Sequence, residues 1–322
     1  MKLMDLMKLT KQFSYPATRE DMERMQDYLR RLGYDPDNFY QELEMSSRFV
    51  DTHQDTSFSN ARVSLHSHSF YEVIYCRSAE NVEYLVGSDR YRLQKGDIVF
   101  VSPGTGHRPL LPEKMSVPYC RDVLWLSTEF VESLSRIFPD SEFQGKTYSS
   151  LLRTAGTRWE YLGDFFRTGV KEAERQMSGW ETVVFANALT LLTHLKRAFL
   201  DEGLKPMRAE QPELLDRVIA YMEEHMEEKL TLSCVAKHFY VSESTVTQTF
   251  RKRMGVSFYR YLTQRRLIAA KAMITEGMSF EVISQRVGFS DYSTFYRAFR
   301  QEYGISPRQY RKLQETSESV IV

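Results

Sequence analysis

Several protein classes are excluded by what this sequence does not contain. It has three cysteines in 322 residues, Cys76, Cys120 and Cys234, widely spaced and with no CxxC pair. That set gives neither a disulfide framework nor a zinc ribbon, and it fits a reducing compartment. No stretch approaches the roughly 18 consecutive apolar residues of a membrane-spanning helix. The opening residues, MKLMDLMKLTKQ, lack the continuous apolar core of a signal peptide. The expectation is a cytoplasmic protein that does not enter the membrane. Net charge is absent as well, with 43 Lys+Arg balanced by 43 Asp+Glu.

That balance conceals an asymmetry. Lys229 to Lys312 holds 15 basic and 5 acidic residues, which leaves 28 basic and 38 acidic elsewhere. A basic block beside an acidic body suggests a polyanion-binding module joined to one that does not bind polyanions. The length suggests about two domains.

The texture along the chain agrees. Residues 18–32, TREDMERMQDYLRRL, have the period of an amphipathic helix capped by Thr18, with Met22, Met25, Leu29 and Leu32 in one stripe. From about 59 to 127, short runs such as YEVIYC, EYLVG, DIVFVS and VLWLS alternate between turn signals, which predicts an all-β sandwich or barrel. Helical periods return at about 159–202. The second helix carries Leu191, Leu195 and Phe199 on one face. Residues 205–212, with two prolines nearby, read as a linker, and everything from 213 to 313 reads as helical, followed by a tail at 314–322.

The helical part is a duplication. Ala236, Phe239 and Val241 recur 48 residues later as Ser284, Val287 and Phe289. Val246, Phe250, Gly255 and Tyr261 recur 49 later as Phe295, Phe299, Gly304 and Tyr310. Each unit reads as a short helix, a tight turn, a second helix and a glycine stop, the layout of a helix-turn-helix. Ser242 and Asp291 stand at the N-caps of the second helices. One face of each second helix is apolar. The other is rich in hydroxyls, an amide and guanidinium groups, which suit base edges and phosphates. A long helix over 258–276 joins the units. Arg266 on that helix is expected to form a bidentate ion pair with Asp291.

These residues resemble the AraC/XylS family of bacterial transcription regulators over about 215–313. The motifs are VSES (241–244), Phe250 and Gly255, the SF..YL...RL..A pattern (257–270), and GFSDYSTFYRAFRQEYGISPRQYR (288–311). The resemblance implies double-stranded promoter DNA as partner. It implies base contacts from Ser244, Thr247 and Gln248 in the first unit and from Tyr292, Ser293, Tyr296 and Arg297 in the second. Arg251, Thr294 and Arg300 would meet phosphates. It also implies a homodimer paired through helices such as the one bearing Leu191, Leu195 and Phe199.

In the β region, RVSLHSHSFYEVIYC puts His66, His68 and Glu72 at even spacing, hence on one face of a strand. GDIVFVSPGTGH then adds His107. This set resembles the two motifs of the cupin fold, with Ser102 where a proline is usual. It implies a lumen that takes a divalent metal or a small polar effector, a sugar being one candidate; no cofactor is required. The expected fold is therefore α+β in two domains: a cupin-like β-barrel with flanking helices over 1–204, and an all-α domain of two helix-turn-helix units joined by a long helix. The leading function is a non-enzymatic, ligand-responsive transcription regulator. Two alternatives stay open, a metal-dependent cupin enzyme with an accessory helical domain and a ligand-independent DNA-binding protein.

Overall fold

The structure is a computed structural model that describes residues 45–57, 65–112, 114–139, 150–201, 203–204, 213–254 and 256–312. The helix expected at 18–32, the linker at 205–212, the tail and Gly255 lie outside the described residues.

The N-terminal half is two facing antiparallel sheets. Five strands, β1 (Val50–Ser57), β2 (Tyr71–Ser78), β5 (Asp97–Val101), β7 (Tyr119–Leu126) and β8 (Leu151–Arg153), run in the order β1-β7-β2-β5-β8. Three more, β3 (Glu83–Val86), β4 (Asp89–Arg92) and β6 (His107–Leu110), run β4-β3-β6. The expected cupin-like barrel is not closed: among the described residues no strand of one sheet pairs with a strand of the other, and an isolated bridge between His66 and His107 ties the 65–68 segment to β6. The β region also extends past 59–127, since β1 precedes it and β8 follows it.

Four layers result. Between the sheets lie Ile74, Val82, Tyr84, Val86, Val99, Val101 and Tyr119. The outer face of the larger sheet, with Val73, Tyr75, Ile98 and Leu124, is covered by α1 (Thr128–Ile137), α2 (Leu162–Arg175) and α3 (Trp180–Phe199). The outer face of the smaller sheet contributes Leu85 and Leu110 to the core of the C-terminal domain.

Leu191 and Leu195, expected at a dimer contact, are 1% and 0% exposed and pack into their own subunit's core, with Phe199 against the same cluster. An apolar stripe on a helix marks a buried face but not what buries it. Here the sheet and α2 do.

The C-terminal domain begins with α4 (Leu214–Glu224), opened by a reciprocal capping box between Glu213 and Asp216. The first unit is α5 (Leu232–His238) and α6 (Glu243–Thr249), which passes into a five-residue π turn, Phe250–Met254. The second is α8 (Phe280–Arg286) and α9 (Tyr292–Tyr303). Between them, α7 (Phe258–Thr275) places Phe258, Tyr261, Leu262 and Ile268 in the first unit's core, and Leu267, Ala270 and Ile274 in the second's. It is buried on two sides because it serves two cores.

Candidate nucleic-acid interface and histidine cluster

Both recognition helices are fixed by the same local devices. In α6, Ser242 Oγ accepts from the Thr245 N–H at 3.1 Å, and Val246 and Phe250 are 1% and 0% exposed. In α9, Asp291 accepts from the Thr294 N–H at 2.7 Å, and Phe295 and Phe299 are both 0% exposed. The anchors sit four residues apart, one helical turn, so the opposite face must point out. Ser244, Gln248 and Arg251 are exposed on the first helix and Ser293, Arg297 and Arg300 on the second, while Thr247, Tyr292 and Tyr296 are half-buried. Two of the expected contacts have local commitments. The Thr294 hydroxyl donates to Asp291 at 2.9 Å, and that of Thr247 to the Glu243 carbonyl at 2.9 Å.

The turns preceding α6 and α9 repeat at the level of the backbone. Tyr240, at φ 57°, and Gly288, at φ 79°, are equivalent positions, and both are left-handed. Glycine adopts that conformation freely, whereas tyrosine is strained in it.

The expected Arg266–Asp291 pair is not formed. Arg266 donates to the carbonyls of Met226 at 3.0 Å and Glu228 at 2.7 Å, and its guanidinium lies 5.9 Å from the Phe289 ring centroid. Both Asp291 oxygens are occupied by the cap and by the Ser290 hydroxyl. Arg266 still joins the units, but through backbone carbonyls ahead of the first unit and an aromatic ring in the second.

The second constellation lies in the sandwich. His66, Glu72 and His107 each bring a ligand atom within 4.8 Å of the others. Glu72 Oε2 is 2.9 Å from His107 Nε2 and 3.6 Å from His68 Nε2. The Nδ1 of His68 faces the Phe70 carbonyl at 2.8 Å and that of His107 the Thr105 carbonyl at 2.9 Å. Each ring therefore donates from Nδ1, which in the neutral form leaves an Nε2 lone pair aimed at the carboxylate. His68 Nε2, His107 Nε2 and Glu72 Oε2 are buried without an aligned hydrogen-bond partner. Glu72 Oε1 accepts from the Trp125 indole at 2.8 Å. Burial alone would push the Glu72 carboxyl up, yet His107 and His68, once protonated and donating from Nε2, hold it well below the usual carboxylate range. Burial pushes the His68 imidazole down. Lone pairs converging on a buried carboxylate need a positive charge, either a proton or a cation, so the donor set fits a divalent metal.

Further polar residues line the inner face of β1 and β7: Asp55 pairs with Arg121 at 2.7 Å, and His53 is 6% exposed. Another group lies where the two halves meet. Arg90 on β4 pairs with Asp216 at 3.1 Å, Glu83 at 2.9 Å and Glu213 at 3.2 Å, and Arg253 reaches Glu213 at 3.2 Å. Arg265 pairs with Glu223. Sequence reading missed this group. Arg90 and Asp216 are 126 positions apart, and no local pattern connects them.

A family model described as a helix-turn-helix domain matches residues 235–313. Over 255 residues, 77% of this chain and 87% of the relative, the sequence is 28% identical to the HTH-type transcriptional activator RhaS of Salmonella arizonae. Among solved structures it is similar to a DNA-binding transcriptional dual regulator from Escherichia coli K-12, with 25% identity and a TM-score of 0.32 over 34% of this chain and 99% of that one. It is also similar to the C-terminal domain of AraT, a response regulator from Geobacillus stearothermophilus, with 28% identity and a TM-score of 0.32 over 33% of this chain and 88% of that one. Among the described residues no helix is long and apolar enough to cross a membrane.

Proposed function

We propose that this chain, matched at 235–313 by a helix-turn-helix family model and 28% identical over 255 residues to an HTH-type transcriptional activator, is an AraC-type regulator, homodimeric and effector-responsive, that reads promoter DNA with α6 and α9. The observation that carries this reading is the pair of outward polar faces, each backed by buried anchors and both mounted on α7. Two such helices on one strut suit successive major grooves, about 34 Å apart on one face of the duplex. Arg297 has the fork that pairs with guanine O6 and N7, with Tyr292, Ser293 and Tyr296 beside it; Ser244, Thr247 and Gln248 serve the first groove. Arg251 and Arg300 meet phosphates. Arg297→Ala is expected to cost about 1–3 kcal/mol at its target base pair and to relax preference there, while Arg300→Ala weakens all sequences alike. Selection from a random duplex pool tests this, and an unchanged preference profile for Arg297→Ala would refute the assignment.

The N-terminal half is the sensor in this reading. Apolar side chains fill the space between the sheets, so an effector sits at the polar end, on His66, His68, Glu72 and His107. Those four are a nitrogen and oxygen set suited to a divalent cation such as zinc, which would supply the positive charge the donors lack. A small hydroxylated molecule such as a sugar could bond the same atoms. Homodimer formation cannot use Leu191 and Leu195; the exposed face of α3, with Val183, Ala186 and Thr190, is the one left for it. Light scattering on the intact chain decides this, a monomer at micromolar concentration counting against the pairing.

A further inference from the structure

The segments that carry the histidines also touch the DNA-binding domain, and the alternation of an extended chain explains how. Successive side chains face opposite ways, so His66 and His68 face the cluster while Leu65 and Ser67 face the other domain. Leu65 lies in the core that it shares with α7, and the Ser67 carbonyl accepts from Lys271 at 3.5 Å. The same holds around His107. Leu110 joins that core, Arg108 donates to the Met254 carbonyl at 3.1 Å, and a Cβ on Gly106 would collide with the Arg265 guanidinium. The two segments are tied together, since His66 and His107 exchange backbone hydrogen bonds of 3.2 and 2.9 Å.

Lys271 and Arg265 both belong to α7, but they lead to different units. The Lys271 ammonium lies 5.2 Å from the ring centroid of Tyr303 and 5.6 Å from that of Tyr310, both in the second unit. Arg265 pairs with Glu223 on α4, beside the first.

We propose that α7 reads the occupancy of the histidine cluster through these two contacts, with Ser67–Lys271 steering the second recognition helix against the first. This rests on the cation reading given above. The expected movement follows from coordination geometry. Four ligands at 2.0–2.1 Å around tetrahedral zinc stand about 3.3 Å from one another. In the structure the ligand atoms of His66, Glu72 and His107 lie within 4.8 Å of one another, with Glu72 Oε2 as close as 2.9 Å to His107 Nε2, and His68 Nε2 stands 3.6 Å from Glu72 Oε2. Closing them around a cation must draw the 66–68 segment inward by roughly 1 Å, and the Ser67 carbonyl, already at the limit of a hydrogen bond to Lys271, moves with it.

The test uses the intact chain, purified without nickel resin and titrated with zinc. Calorimetry reads uptake, hydrogen exchange reads α7 and α9, and fluorescence anisotropy reads affinity for a duplex selected by the chain itself. Zinc should bind at one equivalent, change exchange around 267–275 and 299–304, and shift DNA affinity at least about fivefold, the lower end of a typical allosteric coupling. Lys271→Met should take up zinc with unchanged affinity and lose both responses. Should that variant fail to fold, Tyr303→Leu removes one aromatic face over the ammonium and leaves the sandwich untouched. Zinc uptake with no response in α7, or with the full response kept in the variants, overturns the coupling and leaves the cation reading standing. No uptake overturns both.

Discussion

The ion cluster between the two halves makes the sharpest stability prediction. Arg90 is 3% exposed. Its Nε and Nη2 donate to the two Asp216 oxygens, each at 3.1 Å, and its Nη1 to Glu83 at 2.9 Å. Burial alone pushes its pKa down, and the bonds to Asp216 and Glu83 more than reverse that. Arg90→Met keeps the apolar stem and deletes the charge, leaving the Glu83 and Asp216 side chains, 15% and 7% exposed, with no guanidinium between them. Removing one partner of a buried pair costs about 3–5 kcal/mol. Arg253 remains 3.5 Å from Glu83 and 3.2 Å from Glu213, so the lower end, about 3 kcal/mol, is expected. The second change, Asp216→Asn, removes the surplus negative charge, so the double variant should cost less than the sum of the singles by about 1–3 kcal/mol. Urea denaturation measures this with two probes. The tryptophans, Trp125, Trp159 and Trp180, all report the N-terminal half, and far-ultraviolet circular dichroism is dominated by the helices. Additive effects, with coupling under about 0.5 kcal/mol, would refute the claim that Arg90 and Asp216 act as one buried unit.

Two further predictions concern backbone and protonation. Gly288→Ala should lose at least about 2 kcal/mol, because a left-handed alanine costs about 1–2 kcal/mol and its Cβ would meet the Met226 carbonyl and the Arg266 guanidinium. At the equivalent turn, Tyr240→Gly should gain about 0.5–1 kcal/mol, strain relief outweighing glycine's entropy, since Tyr240 is 96% exposed and loses few contacts; urea midpoints of the two variants should move in opposite directions. Burial pushes the His53 imidazole pKa below its ordinary value, so below about pH 6.5 the unfolded chain takes a proton that the fold refuses, and stability falls as pH drops, by up to about 1.4 kcal/mol per pH unit for one group. His53→Gln should flatten that slope between pH 5 and 6.5, and an unchanged slope would show that His53 does not drive it.

Legibility in the sequence tracked how local the determining interactions are. The helix-turn-helix units were readable because their caps, anchors and turns lie within a few residues of one another, and the duplication states them twice. Strand β1 was missed because its inward positions, Asp51, His53 and Asp55, are polar. The two carboxylates are satisfied by partners the pattern does not reveal: Asp51 by the Ser46 hydroxyl at 2.9 Å and Asp55 by Arg121, 66 residues away, at 2.7 Å. β8 has three residues, too few to show a period. The Arg266–Asp291 expectation failed through competition: a carboxylate at an N-cap is already spent on backbone N–H groups, and a guanidinium beside a chain reversal finds carbonyls first. Even spacing put His66, His68 and Glu72 on one face and the resemblance to a second motif added His107, yet the facing lone pairs depend on the carbonyls of Thr105 and Phe70, which no motif encodes.

The charge asymmetry of the sequence takes on a spatial meaning once the seam is seen. Of the basic run at Arg251, Lys252 and Arg253, the first two are exposed, while Arg253 is drawn toward Glu83 of the sandwich and Glu213 of α4. Arg265 is held by Glu223, and Lys271 is 5% exposed among Ser67 and two tyrosine rings. Part of the basic surplus of the C-terminal domain is therefore drawn into internal contacts, Arg253 with Glu83 of the sandwich and Arg265 with Glu223 of α4, while Arg251, Lys252, Arg297 and Arg300 on and beside the recognition helices stay exposed, as do Lys229, Lys237, Arg260, Arg286, Arg308 and Lys312. Exposed charges set the salt dependence of DNA binding, whereas buried pairs are screened far less. The basic residues thus divide into an exposed, salt-sensitive set that includes the arginines of the recognition helices and a buried, salt-resistant set, Arg265 and Lys271 on the helix between the two units among them.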